Sequence, residues 1–466
     1  MATVPAEIPR QSLGRVDGWL LRVGDTMQRH RRAILAIQWS VVVSYLFLII
    51  VPALLPLPSA DARLYRDLTL FAQFLFWGIW WPFVMLSMML MGRVWCGVFC
   101  PEGALTEFVS RRGLGRKIPK WLRWGGWPFT AFALTTIYGQ LISVYEYPKA
   151  TLLILGGSTV AAVAVGFVYG GGKRVWCRYL CPANGVFRLL ARLAPVHFRT
   201  DPQAWRQAPA KTAAIDCAPL VDVRHLSSMA DCHACGRCSG HRNAVRLEAR
   251  SPNAEVTTLR ERDISRGDAL LLVYGIFGIA LGAFQWSANP WFVALKLNVA
   301  TWLIEHNRLA LLADGIPWWL LTHYPEANDV FSWLDGLLIV FYIAVSAIFV
   351  GSWILLWLRA AAELLANRVS PWHLAYSLIP LAGITVFLGL SQLTATILRA
   401  EGLILSWVPS ARVALLLFGF LWSALLAWKI LRAADIGFAR RSLAEAATIL
   451  AMAPVVAVLT NQFLFW

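Results

Sequence analysis

The chain has 466 residues, of which 58% are hydrophobic and 15% charged, and its mean hydropathy is +0.58. Soluble domains usually carry about 25% charged residues, so this composition excludes an ordinary soluble protein and indicates an integral membrane protein. The formal net charge of +16 would also suit nucleic-acid binding. Its distribution argues against that class, because most Lys and Arg residues lie on alternate loops between apolar runs, the arrangement that orients a membrane protein.

Nine apolar runs are long enough to form transmembrane helices, which need about 20 residues to cross a hydrocarbon core of about 30 Å. The excess of Lys and Arg on one side predicts a cytoplasmic N-terminus. No cleavable signal peptide is predicted, because the first residues are polar and basic without a short apolar core. The predicted spans are 33–55, 68–92, 125–146, 150–170, 268–288, 333–358, 372–394, 411–432 and 443–464.

These spans divide the chain into four parts. Residues 1–32 are predicted to be a cytoplasmic N-terminal segment, and residues 33–189 a membrane core of two helical hairpins. Residues 190–266 are polar, basic and loop-like, and several prolines prevent one long helix there, so a cytoplasmic segment is predicted. Residues 267–466 add a five-helix membrane region that includes a periplasmic segment over 289–332.

A short cysteine motif follows the second predicted helix and recurs after the fourth. Both copies read Arg-Val-Trp-Cys, three residues and Cys-Pro, with Cys96 and Cys100 in the first copy and Cys177 and Cys181 in the second. Proline suits the first turn of a helix, and the amides of that turn favour the thiolate form that binds metal. Because both hairpins deliver their copy to the same membrane face, the repeat predicts one four-thiolate site between them. The alternative is that these cysteines are small buried hydrophobes and that the Trp and Arg residues anchor helix ends.

The other four cysteines lie in the predicted cytoplasmic segment. Cys232, Cys235 and Cys238 have the two-residue spacings of a ferredoxin-type loop, in which three thiolates hold one [4Fe-4S] cluster and a fourth ligand comes from elsewhere. Cys217 is the remaining thiol and is the predicted fourth ligand. The sequence therefore predicts a second iron–sulfur site in this segment.

Other metal chemistries compete with this interpretation. A zinc site would use the same loop cysteines with His233 or His241. A disulfide framework is not expected in the reducing cytoplasm, and the sequence has no Cys-x-x-Cys-His motif for covalent haem. Non-covalent haem needs histidines paired at one level of the bilayer, which the predicted positions of His306, His323 and His373 do not provide.

The paired Cys-x-x-x-Cys-Pro copies and the following cysteine cluster resemble the membrane polyferredoxin family that includes NapH of nitrate respiration and the C-terminal half of NosR of nitrous-oxide respiration. The resemblance covers about residues 33–265. It implies electron transfer between quinone, or a cytoplasmic donor, and a periplasmic redox protein. The family's full ferredoxin motif ends in Cys-Pro, whereas Ser239 follows Cys238 here, so we expect one cluster in the loop rather than two.

The overall layout is also similar to FtrD, the membrane ferredoxin-like component of bacterial periplasmic ferrous-iron uptake systems. This similarity implies a membrane permease, a periplasmic iron-binding protein and a cupredoxin-like protein as partners, and a role in iron transport. The periplasmic flavin-binding domain that NosR-like proteins bring is not evident in this sequence.

The predicted periplasmic segment has the pattern of a helix lying at the membrane surface, followed by aromatic belt residues. Few ionisable residues fall inside the spans, which argues against a transporter acting alone. The C-terminal helices are instead expected to supply a partner surface, a quinone pocket or a seat for a permease, with Pro380 and Pro454 kinking their helices. An acidic rim, either a docking site or a solvated loop, is formed by Asp314, Glu326, Asp329 and Asp335.

The sequence thus predicts an all-α membrane electron carrier with two iron–sulfur clusters on the cytoplasmic side, an electron-transfer component rather than a stand-alone enzyme. Arg93, Arg174 and Arg178 either offset the negative charge of the thiolates or anchor helix ends. A non-catalytic metal-binding, redox-sensing or oxidase-maturation membrane protein is the alternative. The predicted ligands are Cys96, Cys100, Cys177 and Cys181 for one cluster and Cys217, Cys232, Cys235 and Cys238 for the other, a [4Fe-4S] centre.

Overall fold

The computed structural model is mostly helical, with four short strands in two separate two-stranded sheets among the residues it describes. The predicted all-α membrane fold is confirmed. Residues 1–14 of the predicted N-terminal segment lie outside the described residues. The described residues are 15–59, 61–209, 212, 214–434 and 436–465.

The described residues form seventeen α-helices. Three of them, the third, sixth and eleventh, contain a stretch of π-helix. The helices are α1 (Arg15–Arg29), α2 (Arg31–Leu54), α3 (Leu68–Met91), α4 (Pro101–Ser110), α5 (Trp127–Leu141), α6 (Pro148–Tyr169), α7 (Val175–Tyr179), α8 (Asn184–Leu190), α9 (Pro202–Gln207), α10 (Ala254–Thr257), α11 (Arg266–Gln285), α12 (Pro290–Glu305), α13 (Trp333–Leu364), α14 (Pro371–Tyr376), α15 (Ile379–Ala400), α16 (Val408–Arg432) and α17 (Phe438–Phe465).

Eight helices in the described part of the chain are long and apolar enough to cross a membrane, namely α2, α3, α6, α11, α13, α15, α16 and α17. Eight of the nine predicted spans therefore correspond to such a helix. The main apolar core lies where α3, α8 and α11 pack against α13 to α17. The protein is accordingly a multi-pass membrane protein.

The third predicted span, 125–146, differs from the other eight. Its helix, α5, has 15 residues, which is about 22 Å at 1.5 Å per residue and falls short of a hydrocarbon core of about 30 Å. The helix ends at Leu141 because Ser143 adopts a left-handed backbone conformation with φ +49°, and turns follow it. The two cysteine motifs lie at the same end of the molecule, so the chain between them must run out and back, and α5 supplies the outward path.

The segment predicted to be cytoplasmic contains a small sheet that the loop prediction missed. Strand β1 (Val196–Thr200) pairs antiparallel with β2 (Val245–Ala249), and α1 packs against this hairpin. Leu20 of α1 shares a buried cluster with Phe198 and Leu247. Both strands alternate apolar and polar residues, which is the signal of a half-buried strand.

The proline prediction is wrong at one of its two positions. Pro380 lies in the first turn of α15, where its missing amide has no helical partner, so the helix begins there and is not kinked by it. Ser377 and Leu378 separate α15 from α14, and the predicted span 372–394 is therefore two helices. Pro454 does lie inside α17.

The segment predicted to be periplasmic has two structural parts. The first is α12, whose N-terminus is capped by the Asn289 side chain, which accepts from the Trp291 amide at 2.9 Å. The second contains a two-residue hairpin, β3 (His323–Tyr324) with β4 (Asp329–Val330). Hydrogen bonds tie this second part to the end of α5 and the turn after it, including Thr322 N to Leu141 O at 2.8 Å and Tyr147 Oη to Asp329 at 2.8 Å.

Candidate iron–sulfur sites

The first copy of the cysteine motif presents one thiol to a helix N-terminus. Residues Trp95–Phe99 form one wide helical turn, after which Cys100 is extended and caps α4. The Cys100 Sγ accepts a hydrogen bond from the Gly103 amide at 3.4 Å. Pro101 occupies the first position of α4, where an amide would have had no partner. The thiol therefore faces the amides of the helix, as the proline pattern predicts.

The second copy has the same order of elements with a regular turn in place of the wide one. Cys177 lies in α7, Cys181 follows it, and α8 begins at Asn184. The two copies touch, because the Trp176 indole Nε1 donates to the Glu102 carboxylate at 3.0 Å. The parallel repeat of the sequence is thus a pair of neighbouring structures at one end of the helices.

The structure brings the four thiols of the two copies together. Cys96 and Cys177 are buried, and Cys100 and Cys181 are partly exposed. Burial raises the pKa of Cys100 well above its ordinary value, and Cys177 and Cys96 raise it further. Burial likewise raises the pKa of Cys177 to about 12, opposed by Arg174 and reinforced by Cys96. The Cys100 and Cys177 thiols are therefore protonated at neutral pH until a metal centre displaces the protons.

The other four cysteines surround a single cavity. Its non-atom space is about 390 Å³, part of it open to solvent. Apolar side chains complete the wall, among them Phe198 of β1. The cavity is lined by Cys217, Cys232, Cys235 and Cys238. Cys217, fifteen positions before Cys232 in the sequence, is thus placed by the fold beside the three-cysteine loop, as the sequence predicts.

The three-cysteine loop is wound around this cavity by left-handed residues. Ala234 has φ +46° and Gly236 has φ +71°. The turn directs the Ala234 amide at the Cys232 Sγ, 3.4 Å away. Burial raises the pKa of Cys232 to about 12, and this amide lowers it. An amide that donates to a ligand sulfur is one of the interactions that tune an iron–sulfur centre.

Buried donors without an acceptor collect around the two sites. Within the part of the chain that the structure describes, these include Arg93 Nε and Arg174 Nη2. Buried polar groups are normally hydrogen-bonded, so each of these donors needs an acceptor. The inorganic sulfides of an iron–sulfur cluster are acceptors, and thiolates are its usual ligands. The donor set and the unpaired N–H groups therefore fit such clusters. Among the described residues, no three His, Cys, Asp or Glu side chains converge closely enough to hold a single metal ion.

A buried carboxylate connects the two sites. Glu107 of α4 accepts from Arg174 Nε at 2.8 Å and from Arg237 Nη2 at 2.9 Å, and Arg237 lies between two cysteines of the loop. Burial alone would raise the pKa of Glu107, but Arg174 and Arg237 outweigh it and lower the pKa. The carboxylate is therefore charged at neutral pH and joins the second copy of the motif to the loop.

Two of the three motif arginines are buried inside the protein, and the third, Arg178, is partly buried. Arg93 is 2% exposed and donates to the Ala230 carbonyl at 2.8 Å, with its other terminal nitrogen 3.7 Å from the Cys96 Sγ. Arg174 is 1% exposed. Arg178 pairs with Asp231 at 2.6 Å, directly before the three-cysteine loop. These contacts favour the charge-offsetting role over the anchoring of helix ends at the lipid interface.

Sequence reasoning did not identify the acidic partners Glu102, Glu107 and Asp231. A signal was available, because Glu102 and Glu107 are the two acidic residues in a segment, 93–124, that is otherwise strongly basic. Isolated acids among buried arginines are expected to pair with them. The partners themselves, Trp176 for Glu102 and Arg174 and Arg237 for Glu107, lie far away in the chain, and no local pattern reveals them.

The remaining sequence candidates lie apart from the thiol sites. His373 is buried, and its Nε2 bonds to the Val256 carbonyl at 2.9 Å, whereas His306 stacks on Trp302 in α12. His323 belongs to β3. Within the predicted acidic rim, Asp335 accepts from the Ser332 amide in the capping box of α13 and pairs with Lys296, and Asp329 accepts from Tyr147, so both already have intramolecular partners.

Comparisons with known proteins find 4Fe-4S binding segments in the part of the chain that contains the repeat. Residues 73–121 and 152–200 each match a family model described as a 4Fe-4S binding domain. The first match contains Cys96 and Cys100, and the second contains Cys177 and Cys181. No solved structure matches the chain.

Two curated relatives are similar to part of the chain. Protein RdxA of Cereibacter sphaeroides is 27% identical over 192 residues, which is 32% of this chain and 39% of that protein. Regulatory protein NosR of Pseudomonas aeruginosa is 28% identical over 133 residues, which is 24% of this chain and 19% of that protein. The chain thus matches well under half the length of either relative. The resemblance to NosR-like membrane iron–sulfur proteins is confirmed.

Proposed function

We propose that the protein is a membrane-bound electron-transfer component that carries two iron–sulfur clusters on the cytoplasmic side of a bacterial inner membrane. Cys96, Cys100, Cys177 and Cys181 hold one cluster, and Cys217, Cys232, Cys235 and Cys238 hold a [4Fe-4S] cluster. One observation carries the proposal: two quartets of thiols lie next to each other at one end of a membrane helix bundle, and the repeat that bears the first quartet matches a 4Fe-4S binding domain twice.

The residues around the two thiol quartets suit a metal centre whose charge changes reversibly. When bound, a [4Fe-4S] cluster takes up or releases a single electron. Arg93 and Arg174 offset the negative charge of the thiolates, which favours the reduced state, and the apolar wall of the loop cavity limits water near its thiols. The amides of Gly103 and Ala234 donate toward ligand sulfurs and act in the same direction.

The proposal is tested on protein purified without oxygen. We expect about eight iron atoms per chain, broad visible absorption that bleaches on reduction with dithionite, and EPR signals of reduced [4Fe-4S] centres. Protein purified with zinc or copper in stoichiometric amount and no sulfide, from iron-replete cells, would contradict the proposal. Reconstitution with iron and sulfide, compared with zinc alone, is the matched control.

The name of one relative favours a second candidate function. Regulatory protein NosR is called a regulator, which supports the redox-sensing alternative for this chain. An electron carrier turns over, whereas a sensor changes state once and then holds it. Repeated reduction and reoxidation of the clusters by membrane quinol and an added acceptor separates the two, because a sensor shows no sustained flux.

We further propose that the partner is a periplasmic metalloprotein, such as a cupredoxin-like protein working with an iron permease, and that quinone or a cytoplasmic donor exchanges electrons with the clusters. The candidate docking element is α12. Several large apolar side chains on it are exposed, including Trp291 at 80%, Leu297 at 61% and Ile304 at 60%. Its neighbour, residues 318–330, is tied to the core by hydrogen bonds, whereas α12 is held to α13 by the Lys296–Asp335 ion pair and keeps these apolar side chains exposed.

Replacing residues 291–306 with a short Gly-Ser linker tests this docking role. We expect both cluster signals to remain and partner-dependent oxidation or reduction of the clusters to be lost, because the tied part of the segment keeps its contacts. Rapid-mixing absorbance with the periplasmic extract of the same bacterium measures the rate. A rate equal to that of the unmodified protein would mean that α12 is structural, or that it serves only as a membrane contact.

The proposed topology is tested by labelling single engineered cysteines with an impermeant thiol reagent in intact cells. Ser59 and Ala327 are exposed at the end predicted to be outer, and Ser227 and Ser251 are exposed on the cysteine-rich side. We expect Ser59→Cys and Ala327→Cys to react, and Ser227→Cys and Ser251→Cys to react only after permeabilisation. Labelling of either of the last two in intact cells would reverse the orientation.

A further inference from the structure

The two copies of the cysteine motif differ at the residue after the first cysteine. It is Gly97 in the first copy and Arg178 in the second. A Cβ atom on Gly97 would overlap the His233 carbonyl oxygen and would lie 3.0 Å from both Cα and N of Cys235. The backbone of the first copy therefore lies directly against the three-cysteine loop, at a distance that only glycine permits.

This contact joins one residue of each thiol site. Gly97 is bonded to Cys96, and the backbone atoms that lie against it belong to His233 and Cys235. A route from the Cys96 thiol to the Cys235 thiol thus follows covalent bonds with a single through-space step at Gly97. The carbonyl of Gly97 is fixed by the Gln38 amide at 2.7 Å, in a buried hydrogen bond from α2. The backbone of Gly97 is therefore held by α2 through this hydrogen bond and packs directly against the three-cysteine loop.

The same junction contains a positive charge that the two sites share. Arg174 donates from Nη1 to the Cys96 carbonyl at 2.6 Å and from Nε to Glu107 at 2.8 Å. Its guanidinium also interacts electrostatically with Cys177 of one site and Cys235 of the other. Its remaining nitrogen, Nη2, is buried without a partner among the described residues. A charge in this position acts on both sites at once.

We propose that the two thiol sites form one electronically coupled pair, and that Gly97 is the positioning residue that sets the contact between them. The inference rests on the proposed function, since it requires a cluster at each site. Within the pair, one electron leaves the centre held by Cys96 and its partners and enters the centre held by Cys235 and its partners, or the reverse. One centre is oxidised and the other reduced by one electron, with no bond made or broken.

The first test uses the unaltered protein. Neighbouring paramagnetic centres split or broaden each other's EPR signals, so the spectrum of the fully reduced protein is expected to differ from the sum of two single-cluster spectra. Those reference spectra come from Cys100→Ala, which retains the loop cluster, and Cys238→Ala, which retains the other. A fully reduced spectrum equal to the sum would overturn the inference even if both clusters are present. Absence of the clusters would instead overturn the proposed function.

The second test changes the contact. Gly97→Ala is expected to keep the full iron content and lose the spin coupling, because the added methyl group forces the loop away. Gly157→Ala is the matched control, since a Cβ there meets nothing within 4 Å. Retention of the coupling in Gly97→Ala with both clusters loaded would show that Gly97 does not set the contact. If Gly97→Ala does not fold, the spectrum of the unaltered protein decides the question alone.

Discussion

Replacing Cys96 with alanine and replacing Cys177 with alanine are each expected to remove the same iron–sulfur centre, lowering the bound iron by about four atoms per chain. The two residues lie 81 positions apart, yet their thiols interact electrostatically because the two hairpins place both motif copies at one end of the helices, and we propose that they hold one centre. The double variant should lose no more iron than either single variant. Iron and sulfide analysis with EPR measures all three proteins.

The matched control for this prediction is Cys235→Ala, which should remove the other centre and leave the first signal intact. Two different signals lost in Cys96→Ala and Cys177→Ala would show that the copies are independent sites. Equal iron content in all variants would mean that these thiols are packing residues. The last result would restore the alternative in which the cysteines are small buried hydrophobes.

Replacing Glu107 with glutamine should destabilise the junction between the motif and the loop by about 3–5 kcal/mol, because Arg174 is 1% exposed and would keep a buried charge without its counterion. A loss of about 3 kcal/mol corresponds to about 100-fold faster amide exchange where the loop opens locally. The change in exchange rate is measured by hydrogen exchange of residues 231–238 in detergent-solubilised protein.

Arg111→Gln is the matched control for Glu107. Arg111 pairs with the same carboxylate at 2.7 Å, but its side chain is 59% exposed, so its loss should cost under about 1 kcal/mol. The pH dependence has a definite sign. The pKa of Glu107 is lowered in the folded protein, so its contribution is complete above its unfolded value near 4.5 and is lost as the pH falls through the folded value. In Glu107→Gln, the amide exchange of residues 231–238 should therefore not show the loss of stability that accompanies protonation of Glu107.

The membrane fold and the identity of the candidate ligands were predictable from the sequence, because both depend on local patterns. An apolar run long enough to cross a bilayer forms a helix wherever it occurs, since a polar backbone cannot be left unpaired in lipid. The two-residue gaps of Cys232, Cys235 and Cys238 bring three thiols close within a single loop. The repeated Cys-Pro spacing places Cys100 at a helix N-terminus without help from the rest of the chain.

The fourth ligand of the three-cysteine loop and the elements around the loop were harder to predict from the sequence. Cys217 was identified as the partner of the three-cysteine loop because no other thiol remained, and the structure gives a positive reason, since it lines the same cavity. The hairpin of β1 and β2 and its cover, α1, were missed because each element is short and polar on one face. The prediction at α5 was wrong about the length of the helix, because a run predicted as one span is helical over only 15 residues.

The sequence by itself determined the number and spacing of the thiols, the apolar runs and the sidedness of the basic residues, because each is a property of neighbouring positions. Only the tertiary structure decided that the two quartets touch at Gly97 and that Glu107 joins Arg174 to Arg237. These partners are 67 to 138 positions apart, and a glycine or a glutamate carries no local mark of what it will contact. Close packing of the folded chain selects those contacts, since a buried charge must find its counterion and two backbones can meet only where neither has a side chain in the way.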